Sequence, residues 1–377
     1  MRRLAAVPLA ALVLSGCTDR LPTESTRAAH PRSQLAASCA PTIKTVELDD
    51  LGGGEDGAYD INAAGDVVGW SATSSGQYHA VLWSAAGMPN DLGTLGGSYS
   101  EALGVNNNGA VVGVSETTGG DLHAFLWTAA TGMIDLDTLG GSRSDAIAIN
   151  DMGQITGRSR LASGEMRAFL WTPTTPGGTT GTMTDLGTVL GSGPGPESSG
   201  SDIDANGMVV GVSTAGSAKQ DAMLWAGGAM MDLGTLPGDV NSTAYGMNDQ
   251  KEVVGTSRPM DGTFHAFLWT SGGGMTDLGS LTPGNDFNIA WDVDNSGRVV
   301  GFSGILGKSR SAFLWIPTVP GGTTGSMLDL GPLPGYDDSR AFAINDKGLI
   351  VGESYSNATD VTRAILWMVY AQCEGEE

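Results

Sequence analysis

Residues 142–186 read SRSDAIAINDMGQITGRSRLASGEMRAFLWTPTTPGGTTGTMTDL, and four short strand-forming runs follow one another in this stretch. Ala146-Ile147-Ala148-Ile149-Asn150 leads into the turn Asn150-Asp151-Met152-Gly153, a pairing of Asx and glycine chemistry that reverses the chain. Gln154-Ile155-Thr156-Gly157 is the second run, Arg167-Ala168-Phe169-Leu170-Trp171 the third and Met183-Thr184-Asp185-Leu186 the fourth. Runs this short, evenly spaced and separated by glycine-rich turns, do not suit helices. Four of them in roughly 44 residues match the size of a propeller blade.

The unit recurs along the chain. A Trp closes an A-x-L-W segment at Trp83, Trp127, Trp171, Trp225, Trp269, Trp315 and Trp367. A glycine ends a V-V-G-like segment at Gly69, Gly113, Gly157, Gly211, Gly255, Gly301 and Gly352. A D-L-G or D-L-D element starts at Asp50, Asp91, Asp135, Asp185, Asp232, Asp277 and Asp329. Each marker occurs seven times in step with the others, which predicts an all-β fold: a seven-bladed β-propeller of four-stranded blades. The third strand is apolar on both faces, with Ala124 and Leu126 on one and Phe125 and Trp127 on the other, so both faces must be covered. Radially packed blades give that cover, and the repeated Trp then reads as inter-blade core.

The phase of the array predicts closure. It begins with a fourth-strand run, Thr45 to Leu51, and ends with a third strand, Arg363 to Trp367, continuing through Val369. Joining them lets the N-terminal strand complete the last blade and removes open sheet edges. Cys39 and Cys373 lie just outside these two strands. In an oxidising compartment they are expected to form a disulfide, the alternative being two free surface thiols.

The export reading rests on the leader MRRLAAVPLAALVLSGCTDR. Arg2 and Arg3 precede an apolar run from Leu4 to Leu14 that is too short to span a bilayer. Leu14-Ser15-Gly16-Cys17 resembles the lipobox of bacterial lipoproteins, which implies lipidation at Cys17 and a membrane partner through that anchor. The chain divides accordingly into a signal peptide (1–16), a lipidated Cys with a flexible tether (17–38), the repeat domain (39–373) and an acidic tail (374–377). The expected location is the bacterial cell envelope, at the outer membrane or cell surface, and the expected state is monomeric.

With 19 Lys plus Arg against 41 Asp plus Glu, the chain carries a formal net charge of −22. Phosphate binding needs a basic patch, so nucleic acid is excluded as a partner. His123-Ala124-Phe125-Leu126-Trp127 and His265-Ala266-Phe267-Leu268-Trp269, with their D-L-G-x-L-G-G and I-N-x-x-G-x-V-V-G companions, resemble the HAF repeat family of predicted bacterial extracellular proteins. The resemblance covers about Leu48 to Trp367 and implies export and tandem repeats, but no reaction. Arg167, Asp221, Ser311 and Arg363 replace the signature His, so His79, His123 and His265 read as surface strand residues and not as a repeated metal or catalytic group.

Two segments resemble calcium loops, with oxygen side chains at alternate positions before a glycine: Asp202, Asp204 and Asn206, then Asp292 and Asp294. Both run on into apolar strand, Val209-Val210 and Val299-Val300, so a hairpin turn is the favoured reading, with calcium the only cofactor suggested. The loops leading into each first strand all carry acids: Glu55, Asp56, Glu101, Asp145, Glu197, Asp239, Asp286, Asp337 and Asp338. In blade order they are expected to ring one mouth of the channel and favour a cation or basic ligand, against the alternative of a solvated acidic edge. Two longer loops, 173–181 and 317–325, share the string PGGTTG and suggest block duplication. No nucleophile elbow, zinc-protease motif or P-loop is present. The leading functional expectation is therefore a binding or scaffold propeller that takes an extracellular cation, glycan or protein through loops on one face. Alternatives are a glycan-acting hydrolase or lyase using carboxylates at the central mouth and a structural envelope component.

Overall fold

The computed structural model describes residues 40–372 apart from 86, 192–194, 217–218, 285 and 306. Cys17, Cys39 and Cys373, the leader, the tether and the tail lie outside the described residues. Among the described residues every regular element is a β-strand. Gly52–Ile61, Val67–Thr73, Tyr78–Trp83 and Pro89–Asp91 form a four-stranded antiparallel unit, unit 1. The pattern repeats over 96–135 (unit 2), 140–185 (unit 3), 198–234 (unit 4), 241–277 (unit 5) and 287–329 (unit 6). Parallel bridges Tyr78↔Tyr99 and Leu122↔Arg143 join units 1 to 3 into one larger sheet. Unit 7 consists of Asp338–Ile344, Leu349–Ser356 and Val361–Gln372, with Ala40–Glu47 as its fourth strand, paired antiparallel from Ala40↔Gln372 to Glu47↔Ile365.

That register corrects one expectation. Glu47 opposite Ile365 takes the place that Asp91 takes opposite Val81 in unit 1. Leu48 N donates to Ala364 O at 3.0 Å, as Leu92 N does to Ala80 O at 3.0 Å. Glu47-Leu48-Asp49 is therefore the D-L-G equivalent of this strand, and not Asp50-Leu51-Gly52, because Gly52 already begins the first strand of unit 1.

Every first strand carries a β-bulge at the same place. The register against the second strand breaks between Ala58 and Asp60, and likewise around Leu103, Ile147, Ser201, Tyr245, Trp291 and Phe342. The V-V-G glycine lies opposite each bulge. A Cβ on Gly69 would fall far inside contact distance of the Gly57 carbonyl oxygen, and Gly113, Gly157, Gly211, Gly255, Gly301 and Gly352 face the same obstruction. The glycine thus serves a close backbone approach and not a left-handed turn.

The core lies between units. Val68, Ala80 and Leu92 of unit 1 pack on Ala102, Val105, Val111 and Phe125 of unit 2. Leu48, Ala343, Val351 and Ala364 of unit 7 pack on Ala58, Ile61, Val67, Val81 and Trp83 of unit 1. Trp83, Trp171, Trp315 and Trp367 are buried in these seams. The indole of Trp83 donates to Asp49 O at 2.6 Å, and that of Trp367 to Gly331 O at 3.1 Å, each reaching into the preceding unit.

Two hydrogen-bond belts stitch neighbouring units. Ser100, Ser144, Ser198, Ser242 and Ser339 each accept the strand-three Ala N–H of the unit before, at 2.8–2.9 Å. Between units 7 and 1 that place belongs to Asp56, which accepts from Ala364 N. The turn asparagines form the second belt: Asn62 donates its amide to Asn106 O, Asn106 to Asn150 O, Asn150 to Asp204 O and Asn248 to Asp294 O. Asn345 of unit 7 donates to Asn62 O of unit 1 at 2.9 Å.

Gly211→Ala is expected to cost about 1–3 kcal/mol, the range for an overpacked interior, in urea denaturation. Gly272→Ala, with open space around it and an ordinary φ, should stay within about 0.5 kcal/mol of the parent.

Candidate functional site

A bulge re-aims the side chain it carries. All seven bulged residues, Tyr59, Leu103, Ile147, Ser201, Tyr245, Trp291 and Phe342, line a single cavity of about 480 Å³, so this cavity receives one residue from every unit. The next residue along lines it in six units, and three of those six are acids: Asp60, Asp202 and Asp292. One wall is aromatic. Tyr245 and Trp291 rings lie 4.3 Å apart, Trp291 and Phe342 5.5 Å, and Phe342 and Tyr59 5.4 Å. The Trp291 Nε1–H is buried without an acceptor among the described residues. Trp70 donates its indole N–H to the Tyr59 hydroxyl at 3.1 Å, so the two Trp residues outside the repeat pattern both serve this region.

The three acids are fixed by backbone. The Oδ2 of Asp60, Asp202 and Asp292 accepts the N–H of Val105, Met247 and Ile344 of the next unit, each at 2.8 Å. Each Oδ1 accepts the following residue's own N–H at 2.7 Å. Gly104 and Gly246, at the matching place in units 2 and 5, lie close against the unit that follows: a Cβ on Gly104 would press on Ile147 O and one on Gly246 on Trp291 O and Asp292. Burial pushes Asp202 up to about 7 and Asp292 up to about 8, with mutual repulsion adding to the rise and the N–H bonds opposing it. Asp60 is raised for the same leading reason.

Of the acids expected to ring one mouth, Asp56, Asp145 and Asp338 are buried, while Glu197 and Asp337 are exposed and the others half-buried. Asp56 is fully buried in the joint between units 7 and 1, where burial raises it to about 7. Asp145 is buried and paired with Arg143 at 2.9 Å and Arg158 at 2.7 Å. Asp338 accepts from Arg310 N, Asp337 from Asn357 N, and Asp239 pairs with His265 at 3.1 Å. Glu55 accepts from the Tyr78 hydroxyl, Glu101 from the Tyr99 hydroxyl and Glu197 from Met166 N, while the Asp286 backbone bonds Phe264 and Gly304. Glu353, missed from sequence, is raised by burial and held by Arg340 at 2.7 Å.

The calcium-like residues divide between two tasks. Asp204 accepts Asn206 N and Met208 N, and Asp294 accepts Ser296 N and Arg298 N, which are Asx turns. Asn206 bonds Asp204 at 3.1 Å, and Arg298 pairs with Asp294. Asp202 and Asp292 belong to the cavity instead. Among the described residues no group of three or more His, Cys, Asp or Glu could hold a metal ion. His79 and His123 each contact an acid of the neighbouring fourth strand, Asp91 and Asp135, at 2.9 Å.

No family model matches the sequence, and no curated protein does. Among solved structures, the β-propeller domain of the trilobed protease from Pyrococcus furiosus is similar at 10% identity and a TM-score of 0.53, over 85% of this chain and 100% of that one. The Pyrococcus horikoshii acylaminoacyl peptidase is similar at 11% identity and a TM-score of 0.51, over 86% of this chain but 54% of its own. The fold is a β-propeller. At these identities the likeness reaches no further than fold, and the cavity just described runs where the propeller's first strands face one another.

An acid raised in the folded state binds protons that the unfolded chain, with carboxyls near about 4, has already lost. Its contribution to stability is complete at low pH and is lost as pH rises through the folded value. The melting temperature is therefore expected to fall between about pH 5 and pH 8.5, and calorimetry of Asp202→Asn and Asp292→Asn should show a flatter profile than the parent.

Proposed function

We propose that this chain is a seven-bladed propeller of the HAF repeat type, lipid-anchored through Cys17 in the bacterial envelope, that binds a small ligand in its central cavity. The observation that carries this reading is the shared lining: seven equivalent bulged positions converge on one space, six of them aromatic or aliphatic and the seventh Ser201, beside three fixed carboxyls. A volume of about 480 Å³ suits a small molecule held mainly on apolar walls with a few placed polar groups. The strand pairing of 40–47 with 361–372 supports seven blades closed by the N-terminal strand. The propeller domain of the trilobed protease is described, by contrast, as having an open velcro topology.

Binding is favoured over hydrolysis because Asp60, Asp202 and Asp292 are each fixed by two backbone N–H groups and the other nearby carboxyls are paired with arginines. Glu353, whose raised pKa suits a general acid, is engaged by Arg340, and Asp145 by two arginines. A thermal-shift screen of small organic molecules and glycosides tests the reading. A true ligand raises the melting temperature of the parent and fails to do so in Trp291→Ala. A ligand whose shift survives Trp291→Ala but disappears on changing the 173–181 and 317–325 loops would return recognition to a loop face.

The same proposal includes a Cys39–Cys373 disulfide, since the two residues immediately follow the last described pair, Ala40↔Gln372, on their respective strands. Reduction is expected to lower the melting temperature of the parent and leave Cys39→Ser with Cys373→Ser unmoved; an unchanged parent would exclude the bond. Closing a loop of more than 300 residues should stabilise by several kcal/mol, about 4 or more in the chain-entropy view.

A further inference from the structure

The cavity assigned to ligand binding also indicates the chemistry of its ligand, an inference that rests on that binding role. Three carboxyls, from units 1, 4 and 6, line the same space, and the charges of Asp60 and Asp202 raise the proton affinity of Asp292. Each carboxyl oxygen accepts one backbone N–H, which fixes it and leaves a second lone pair unused. The cation in the lining, Arg158, is held by Asp145 at 2.7 Å. The wall also carries Tyr59, Tyr245, Trp291 and Phe342, apolar Leu103 and Ile147, and the hydroxyls of Ser199 and Ser201.

Negative charge set against aromatic rings is the arrangement that attracts a cation to a π face. An inorganic ion does not fit, because the acids do not come together as a metal cluster; the charge is distributed around a space several atoms wide. A large cation whose charge is spread over an apolar shell satisfies both facts. We propose that the central cavity binds an organic ammonium cation, its charge facing Asp60, Asp202 and Asp292 and its alkyl or methyl shell packed on the aromatic wall.

Binding of such a cation relieves the repulsion among the acids, so the partly protonated carboxyls release protons as the ligand enters. The other titratable groups around them are Asp204 beside Asp202, Tyr59 and Tyr245 on the wall, and Arg158 opposite; Glu101 and Glu353 act on Tyr59. Affinity then rises with pH as the trio ionises.

Titration calorimetry of the protein with tetramethylammonium, choline and spermidine chlorides, with methyl glucoside and calcium chloride for comparison, tests this. At least one ammonium salt is expected to bind, about tenfold or more tightly than it binds Asp202→Asn with Asp292→Asn, and more tightly near pH 8.5 than near pH 6. Runs on the unaltered protein in two buffers of different ionisation heat should show net proton release, a readout that needs no variant to fold. Absence of heat with every ammonium salt, or equal affinity in the Asp variants with their melting intact, overturns the cation proposal. Methyl glucoside binding that Trp291→Leu abolishes, with no ammonium binding, overturns it while leaving the cavity as the binding site. Ammonium binding untouched by both Trp291→Leu and the Asp variants places the ligand elsewhere and ends both readings.

Discussion

The β-bulge in each first strand is the constraint on which the rest of the architecture depends. A carbonyl must come so close to the second strand that only glycine fits opposite, which is why V-V-G recurs with its glycine in every unit although the φ there is ordinary. The bulge turns one additional side chain toward the central cavity and leaves its neighbours on the seams between sheets. Without it the alternation of a regular strand would send these positions to opposite faces, and the units would have neither a common lining nor the small Ala or Gly beside the bulge that lets adjacent sheets approach.

Given that geometry, the seams follow from hydrogen-bond chemistry. A turn Asn can both accept from its own loop and donate across to the next unit, as Asn106 does at 3.0 Å to Asn150 O. At units 4 and 6 the turn residue is Asp204 or Asp294, and a carboxylate cannot donate. In those two units the acid two residues earlier, Asp202 or Asp292, accepts the next unit's N–H. Arg298 further spans from Asp294 to Asp346 O at 3.3 Å. Asp60 makes the same bond to Val105 N in unit 1, where Asn62 also donates across, so the acid's bond adds to the asparagine belt there and stands without it in units 4 and 6. Asp56 is a different exchange: it replaces the belt serine in the one joint whose outer strand comes from the other end of the chain. A serine would both accept and donate there, whereas one Asp56 oxygen is buried without a partner among the described residues.

This explains what was legible in sequence. Strand number, the four-stranded unit, the buried Trp and the pairing of 40–47 with 361–372 come from residues that every unit needs, so repetition displays them. The cavity lies at positions where repetition fails: the bulged residue is Tyr59, Leu103, Ile147, Ser201, Tyr245, Trp291 or Phe342, and periodicity has nothing to say about such a column. Trp70 and Trp291 were the visible signal, as the two Trp that belong to no A-x-L-W segment. The acids of the entry loops misled because sequence reports charge but not partners; Asp145 between two arginines and Asp56 inside a seam are structural despite their place in the order. Asp202 and Asp292 looked like calcium ligands because an Asx turn and a calcium loop use the same spacing of oxygens, and only the bulge separates the cavity residue from the turn residue two places on.

A repeat array of this kind divides its labour between constant and variable columns. The constant columns carry the free energy, since each seam buries apolar side chains from two sheets and satisfies backbone groups across them. Variation is tolerated where a side chain faces the cavity, as the bulged positions show. Placing a carboxyl there is unfavourable by itself, because burial and neighbouring acids oppose its charge. Backbone N–H groups offset part of that cost but leave proton affinity well above that of a solvated acid. Such a carboxyl is a destabilising element retained within the propeller, and unfavourable, partly satisfied charge is more often kept for the sake of a ligand than for the fold.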